Sequence, residues 1–228
     1  MCKFLSGVVL PNGDILTSPV NDSHEDIIAA NNISESIAGK INIVRVEYTS
    51  NTLADIDTYR LNIDQDIIPD WFDEPMRERV ADTMRGMVSR MIIKDGTHAC
   101  LLGGKWIITG ENTVVKKVSR GYVVLINSGL LEVCDGGTVN EVRDGGTVNG
   151  VCAGGTVNKV CDGGTVNTVL SGGTVNMVWG GGTVNRVRDG GTVNEVLSGG
   201  TVNEVWDGGT VNKVWGGGKI LNDYRKGK

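Results

Sequence analysis

Between residues 136 and 215 the apolar and polar positions recur in units of nine. Gly-Gly-Thr-Val-Asn occurs nine times without a substitution, starting at residues 136, 145, 154, 163, 172, 181, 190, 199 and 208. Each unit reads G-G-T-V-N-x-V-x-(D/S/G/A), with valine fixed at the fourth and seventh places and variation confined to the sixth, eighth and ninth. A short period of this kind marks a repeat architecture, in which a unit buries its apolar side chains only by stacking on its neighbours. Degenerate units at residues 128–135 and 217–221 are the expected end rungs.

Side chains alternate along an extended chain, so an inward Val139 sets Thr138 and Asn140 outward. Val142 lies three places further on, and burying both valines requires a kink near Asn140 and Glu141. Asn tolerates the left-handed conformation such a kink can use. Gly136 and Gly137 then form the other corner, where a Cβ would crowd the adjoining rung. One unit cannot enclose a core, so two or three units make a turn. With three units per turn, Lys159, Arg186 and Lys213 form one like-charged column. With two, the sixth-place columns are Glu141-Lys159-Met177-Glu195-Lys213 and Gly150-Thr168-Arg186-Glu204, in which most neighbouring charges are opposite and therefore favourable. The expectation is a parallel β-solenoid (β-helix) of nine-residue repeats, two repeats per turn (an 18-residue turn), with four and a half regular turns.

Residues 1–110 show the mixed patterns of an α+β N-terminal domain. Residues 4–10 and 15–19 read as strands joined through Asn12 and Gly13. Ser23 caps a short helix to about Asn31, and residues 41–48 and 58–63 read as strands. Asp73 caps the clearest helix, whose Met76, Val80, Met84, Met87, Val88 and Met91 fall on one stripe. The segment 106–126 leads into the array. The domain boundaries are 1–110 for the head, 111–221 for the solenoid and 222–228 for a frayed, polar, basic tail.

Composition sharpens this division, since 23 of the 34 Gly lie between Gly136 and Gly218. A net charge of −5 over 228 residues argues against a generally basic nucleic-acid binder. No apolar run approaches the roughly 18 residues that cross a bilayer. Five cysteines without a CxxC pair form neither a disulfide framework nor a zinc site, which favours a reducing, cytoplasmic setting.

Candidate chemistry is sparse, and the sequence implies no cofactor or metal. Cys2, exposed at the amino end by removal of Met1, is the candidate N-terminal nucleophile. His24 falls in a helix first turn and His98 in a loop. Asp64, Asp66, Asp70, Asp73 and Glu74 crowd a segment that can supply paired carboxylates, or only a solvated loop and a helix cap. A small hydrolase or transferase centred on Cys2 or on Asp64 and Asp66 is therefore one alternative. The repeat lacks the Gly and Asp places of the calcium-binding nonapeptide roll, so calcium loading is not expected.

The eighth place carries the strongest functional signal. Read two units at a time, its columns are Cys134-Cys152-Leu170-Arg188-Trp206 and Arg143-Cys161-Trp179-Leu197-Trp215. Trp and Arg dominate binding hot spots, so Arg143, Trp179, Arg188, Trp206 and Trp215 are the candidate binding residues of a non-enzymatic scaffold. If those side chains turn inward, the rings are simply core. Regular outward rows of Thr and Asn give a further alternative, an ice- or crystal-binding surface. The expected partner is another protein rather than nucleic acid or membrane, and the solenoid end is open to oligomerisation.

Residues 1–7 (Met-Cys-Lys-Phe-Leu-Ser-Gly), Asp22-Ser23-His24-Glu25-Asp26, Arg45-Val46-Glu47 and the run Asn62 to Trp71 resemble uncharacterised phage and bacterial proteins with a similar head followed by short Thr-Val-containing repeats. The family carries no assigned chemistry. The resemblance implies a cytoplasmic, mobile-element origin. For the binding scaffold, the expected partner is a host or rival protein, with phage antagonism as one scenario.

Overall fold

A computed structural model describes residues 4–18 and 22–226 of the chain. It divides into two compact units, one ending at Met91 and one beginning at Ile92.

In the first unit β1 (Leu5–Val9) and β2 (Ile15–Leu16) pair antiparallel across the Asn12-Gly13 turn, where Gly13 has φ +84°. After α1 (His24–Ala30) come a two-stranded ladder of β3 (Ser36–Ile37) and β4 (Lys40–Ile41), then β5 (Val44–Thr49) and β6 (Arg60–Ile63). The main sheet has the order β2-β1-β5-β6 and is antiparallel throughout. Ser23 caps α1 by accepting from the Asp26 N–H at 3.1 Å, and Asp73 caps α2 (Glu74–Met91) by accepting from the Met76 N–H at 3.0 Å. Val80, Met84 and Val88 are fully buried, whereas Met76, Met87 and Met91 at the margins of the stripe are half-buried. Val8, Ile27, Ile28 and Ile43 form one core cluster. Tyr59 packs between Phe4 and Tyr48, with ring centroids 5.8 and 5.5 Å away.

The second unit is a parallel β-solenoid of about seven turns. It opens with β7 (Ile92–His98), β8 (Leu101–Leu102) and β9 (Lys105–Ser119). It continues with β10 (Tyr122–Asn127), β11 (Leu130–Asp135), β12 (Thr138–Arg143) and β13 (Thr147–Cys152). The regular strands are β14 (Thr156–Val160), β15 (Thr165–Val169), β16 (Thr174–Val178), β17 (Thr183–Val187), β18 (Thr192–Val196), β19 (Thr201–Val205) and β20 (Thr210–Val214), followed by β21 (Lys219–Asp223). Even-numbered strands from β10 to β20 stack on one face and odd-numbered strands from β11 to β21 on the other. The long β9 serves both faces, pairing β10 through Lys105 to Thr109 and β11 through Val114 to Val118. The solenoid therefore takes in residues well before 111. Gly103 and Gly104 turn the chain between β8 and β9, but no Thr-Val-Asn follows them, so β7 to β9 carry no repeat motif in the sequence.

Regular partners lie two repeats apart, as in Val139↔Val157 and Val148↔Val166. Earlier turns are tighter, with Val115 opposite Leu131 and Leu131 opposite Val148. This shorter spacing shifts the phase of the degenerate rung. Cys134 pairs with Val151, not Cys152, and sits fully buried in a valine place, while Asp135 stands opposite Cys152. Cys134 thus leaves the eighth-place column assigned to it by counting two repeats at a time.

Both repeat valines are fully buried from Val139 to Val205. Each contributes roughly 1.5–3 kcal/mol relative to exposure. The ladder pairs the Thr, both valines and the sixth residue of successive rungs but passes over the Asn, which marks the bend that brings Val139 and Val142 to the same side. The repeat Asn residues are not among those at positive φ. They act through their amides instead. Asn176 Nδ2 donates to Asn158 Oδ1 at 2.9 Å, Asn194 to Asn176 at 2.8 Å and Asn212 to Asn194 at 2.8 Å, and Asn167, Asn185 and Asn203 form a second ladder on the other face.

Left-handed backbone falls at the opposite corner. Asp144 (φ +50°) and Gly145 (φ +80°) are the central residues of a turn closed by the Gly146 N–H on the Arg143 carbonyl at 2.8 Å. This is the type I′ geometry that Asp-Gly favours. The second Gly of each pair is required by space: a Cβ on Gly164, Gly173 or Gly182 would lie 2.1 Å from a valine carbonyl oxygen of the preceding turn.

The segment 222–226 is not frayed. Asn222 and Asp223 belong to β21, and the Tyr224 N–H donates to the Val205 carbonyl at 2.7 Å. No helix among the described residues is long and apolar enough to cross a membrane.

Candidate binding edges on the solenoid

Eighth-place side chains follow the buried seventh-place valine and precede the turn, so they emerge at the two edges where the chain reverses. One edge carries Arg143, Cys161, Trp179, Leu197 and Trp215. The other carries Cys152, Leu170, Arg188 and Trp206, continued by Tyr224. The five candidate residues are therefore separated into two sets. Trp179, Trp206 and Trp215 are 38 %, 43 % and 54 % exposed, so these rings are not core. Cys161 is the exception in its column and is fully buried.

The edge with Arg188 and Trp206 is the more organised. The Trp206 indole Nε1 donates to Glu204 Oε2 at 2.9 Å, and Arg186 Nε donates to the same oxygen at 3.1 Å. The indole N–H first, and then Arg186, hold the Glu204 carboxyl below its usual value. On its other side the Trp206 ring meets Tyr224, centroids 4.5 Å apart. Arg188 reaches Asp189 at 3.4 Å. Arg186, Arg188, Asp189, Trp206 and Asp207 line a cleft of about 330 Å³. The Glu204-Arg186 pair comes from the sixth-place column expected from the two-repeat turn, and Glu195 and Lys213 meet at 3.8 Å in the other. In that column Glu141 also engages Arg143 at 3.8 Å and the Cys161 thiol at 3.5 Å.

On the opposite edge Arg143 is tied to Asp144 at 3.2 Å and is mostly covered. Lys213 lies 5.8 Å from the centre of the Trp215 ring. Trp179 and Trp215 are separated along this edge by Leu197. The repeat threonines are half-buried along most of both faces, and the exposed Lys159, Arg186 and Lys213 lie among them at sixth places.

The other candidates have local structural roles. Cys2 lies outside the described residues. His24 is buried at the start of α1, its Nε2 3.1 Å from the Val46 carbonyl and its Nδ1 3.2 Å from Asp64. Asp64 thus anchors the helix to the sheet, and Asp73 is the α2 cap. His98 ends β7 rather than lying in a loop, with Nε2 3.1 Å from the Asp95 carbonyl. Among the described residues no group of three or more His, Cys, Asp or Glu is arranged to hold a metal ion. Burial pushes the Cys134 thiol up to about 11 and that of Cys161 to about 12, which keeps both protonated and unreactive at neutral pH.

Two features escape a reading of the sequence alone. Tyr224 completes the Trp206 edge, and its only signal is its place two repeats after Trp206. In the first unit Ile67, Ile68, Pro69 and Trp71 line a pocket of about 490 Å³ with Lys40, Ile41 and Asp70. The adjacent isoleucines before Pro69 are its signal, obscured by the surrounding aspartates. Comparison with protein-family models, with curated proteins and with solved structures gives no match for this chain.

Proposed function

We propose that the chain is a non-enzymatic binding protein whose solenoid offers the Arg188-Trp206 edge to a protein partner, with the Trp179-Trp215 edge as a second contact. One observation carries this reading: Trp206 is exposed yet held in place, hydrogen-bonded through Glu204 to Arg186 and packed on Tyr224. A ring ordered before contact loses little conformational freedom on binding, and Trp and Arg are the side chains that most often dominate interfaces. The mixed charges of the cleft, Arg186 and Arg188 against Asp189 and Asp207, favour a polypeptide over a polyanion. The resemblance of the head to phage and bacterial proteins makes a host or rival protein the proposed target.

The test is affinity capture with immobilised full-length chain, followed by titration of the captured protein. Trp206→Ala should weaken binding by about 2 kcal/mol or more with little change in melting. Undiminished binding, or an equal loss of stability, overturns the assignment of this edge.

A further inference from the structure

The valine column of the odd-numbered face ends on a charge. In β21, Lys219, Ile220, Asn222 and Asp223 stand opposite Thr201, Val202, Glu204 and Val205. Asp223 therefore occupies the place that Val151, Val169, Val187 and Val205 fill, fully buried, in the rungs before it. A carboxylate there is not incidental to a loose tail, because Arg225 clamps it. Arg225 Nε donates to Oδ1 at 2.7 Å and Nη2 to Oδ2 at 2.5 Å, and the two side chains are only 16 % and 31 % exposed. The flanking residues are fastened to the preceding turn. Tyr224 packs on Trp206, and the Lys226 N–H donates to Asp207 Oδ1 at 2.8 Å.

The same end carries the features of an adhesive edge. Among the described residues β20 and β21 are the outermost strands of their faces, and one side of each has no ladder partner there. Val211 and Ile220 are half-buried, Val214 is 44 % exposed and Leu221 58 % exposed. An unpaired strand edge above an apolar core is a template for another chain, and inward-pointing charge is a device that blocks it. An added rung would have to meet two strand edges at once and bring apolar side chains into line with Val211 and Ile220. The end of a second solenoid of the same sequence has that geometry. We propose that Asp223 and Arg225 form an end stop that prevents a second copy of this chain from joining the solenoid end to end.

Light scattering on the full chain across a wide concentration range tests this. The wild type should keep the mass of one chain. Asp223→Val with Arg225→Val, the first extending the valine column and the second removing its clamp, should gain mass with concentration to two chains or more, and adding Ile220→Lys should return it to one. Trp179→Ala, away from the end, should not gain mass. A Val-Val variant that keeps a wild-type circular dichroism spectrum and a single-chain mass overturns the proposal. So does association that survives Ile220→Lys, or a wild type that already associates through Ile220. Should the Val-Val variant lose its β signal, Asp223→Thr with Arg225→Thr is measured in the same way. Loss of fold in both shows that the pair is needed for folding rather than for closing the end, and also overturns it.

Discussion

Gly145 and Gly146 are adjacent and identical, yet the fold needs them for different reasons. Gly145 has φ +80° with nothing within 4 Å of a Cβ placed on it, so its constraint is conformational. Gly146 is crowded, its Cβ position lying 2.3 Å from the Ile126 carbonyl oxygen. Gly145→Ala should cost about 1–2 kcal/mol, the usual penalty for a left-handed alanine, and Gly145→Asn should recover part of it. Gly146→Ala has no such escape, because the obstacle is backbone of the preceding turn. It should cost more than about 4 kcal/mol and open the ladder between the rungs. Urea titration followed by circular dichroism measures both, and equal costs would contradict the two separate constraints. The invariance of the pair makes the corner legible from sequence. The location of positive φ is not, because Asp144 and Asn140 both tolerate that conformation and only the assembled ladder shows which of them uses it.

At the scale of an element, each Asn ladder works as one unit. An internal member both donates and accepts, so Asn176→Ala strands two neighbours: the Asn194 amide loses its acceptor and the Asn158 carbonyl oxygen its donor. Leaving half-buried groups unpaired costs about 1–3 kcal/mol. Asn212 stands at the end of its ladder, exposed, and only donates to Asn194. Asn212→Ala should therefore cost clearly less than Asn176→Ala in the same thermal melt. Similar losses at the two sites would mean that the ladder contributes little and that Asn matters only for the bend. The two-repeat register is legible because the sixth-place charges alternate only with that turn, as Arg186 and Glu204 show. Register in the first rungs is not. The rungs before Gly136 carry no Gly-Gly-Thr-Val-Asn marker, so the shorter spacing that sets Cys134 opposite Val151 in a valine place is seen only in the pairing.

For the whole molecule the same difference governs where the solenoid begins. β7 and β9 join the ladder through Ile92, Ile107 and Ile108 without any repeat motif, so the start of the array is visible only in the pairing. Within the regular part, the two-unit turn makes a sharp prediction about deletions, with the native cysteines as reporters. Removing residues 163–180 takes out one full turn and leaves every later side chain on its own edge, so Arg188 comes to lie on the rung next to Cys152. Removing only 163–171 carries everything downstream to the opposite edge and sets Arg188 next to buried Cys161 instead. Adjacent rungs are about 4.8 Å apart, within the roughly 4.4–6.8 Å Cα separation of disulfides. With Arg188→Cys added, oxidation and peptide mapping should find a bond between residues 152 and 188 in the two-repeat deletion and not in the one-repeat deletion. A turn of three repeats gives the reverse, because residue 188 would then reach the rung next to Cys152 after the one-repeat deletion and the rung next to Arg143 after the two-repeat deletion. Both deletions should keep the β-sheet spectrum, since the valine frame is unchanged by a shift of one repeat. The one-repeat form should melt slightly lower, as it places Arg186 beside Lys159 where the two-repeat form places Glu195, a difference of about 1 kcal/mol at most for exposed cross-strand charges.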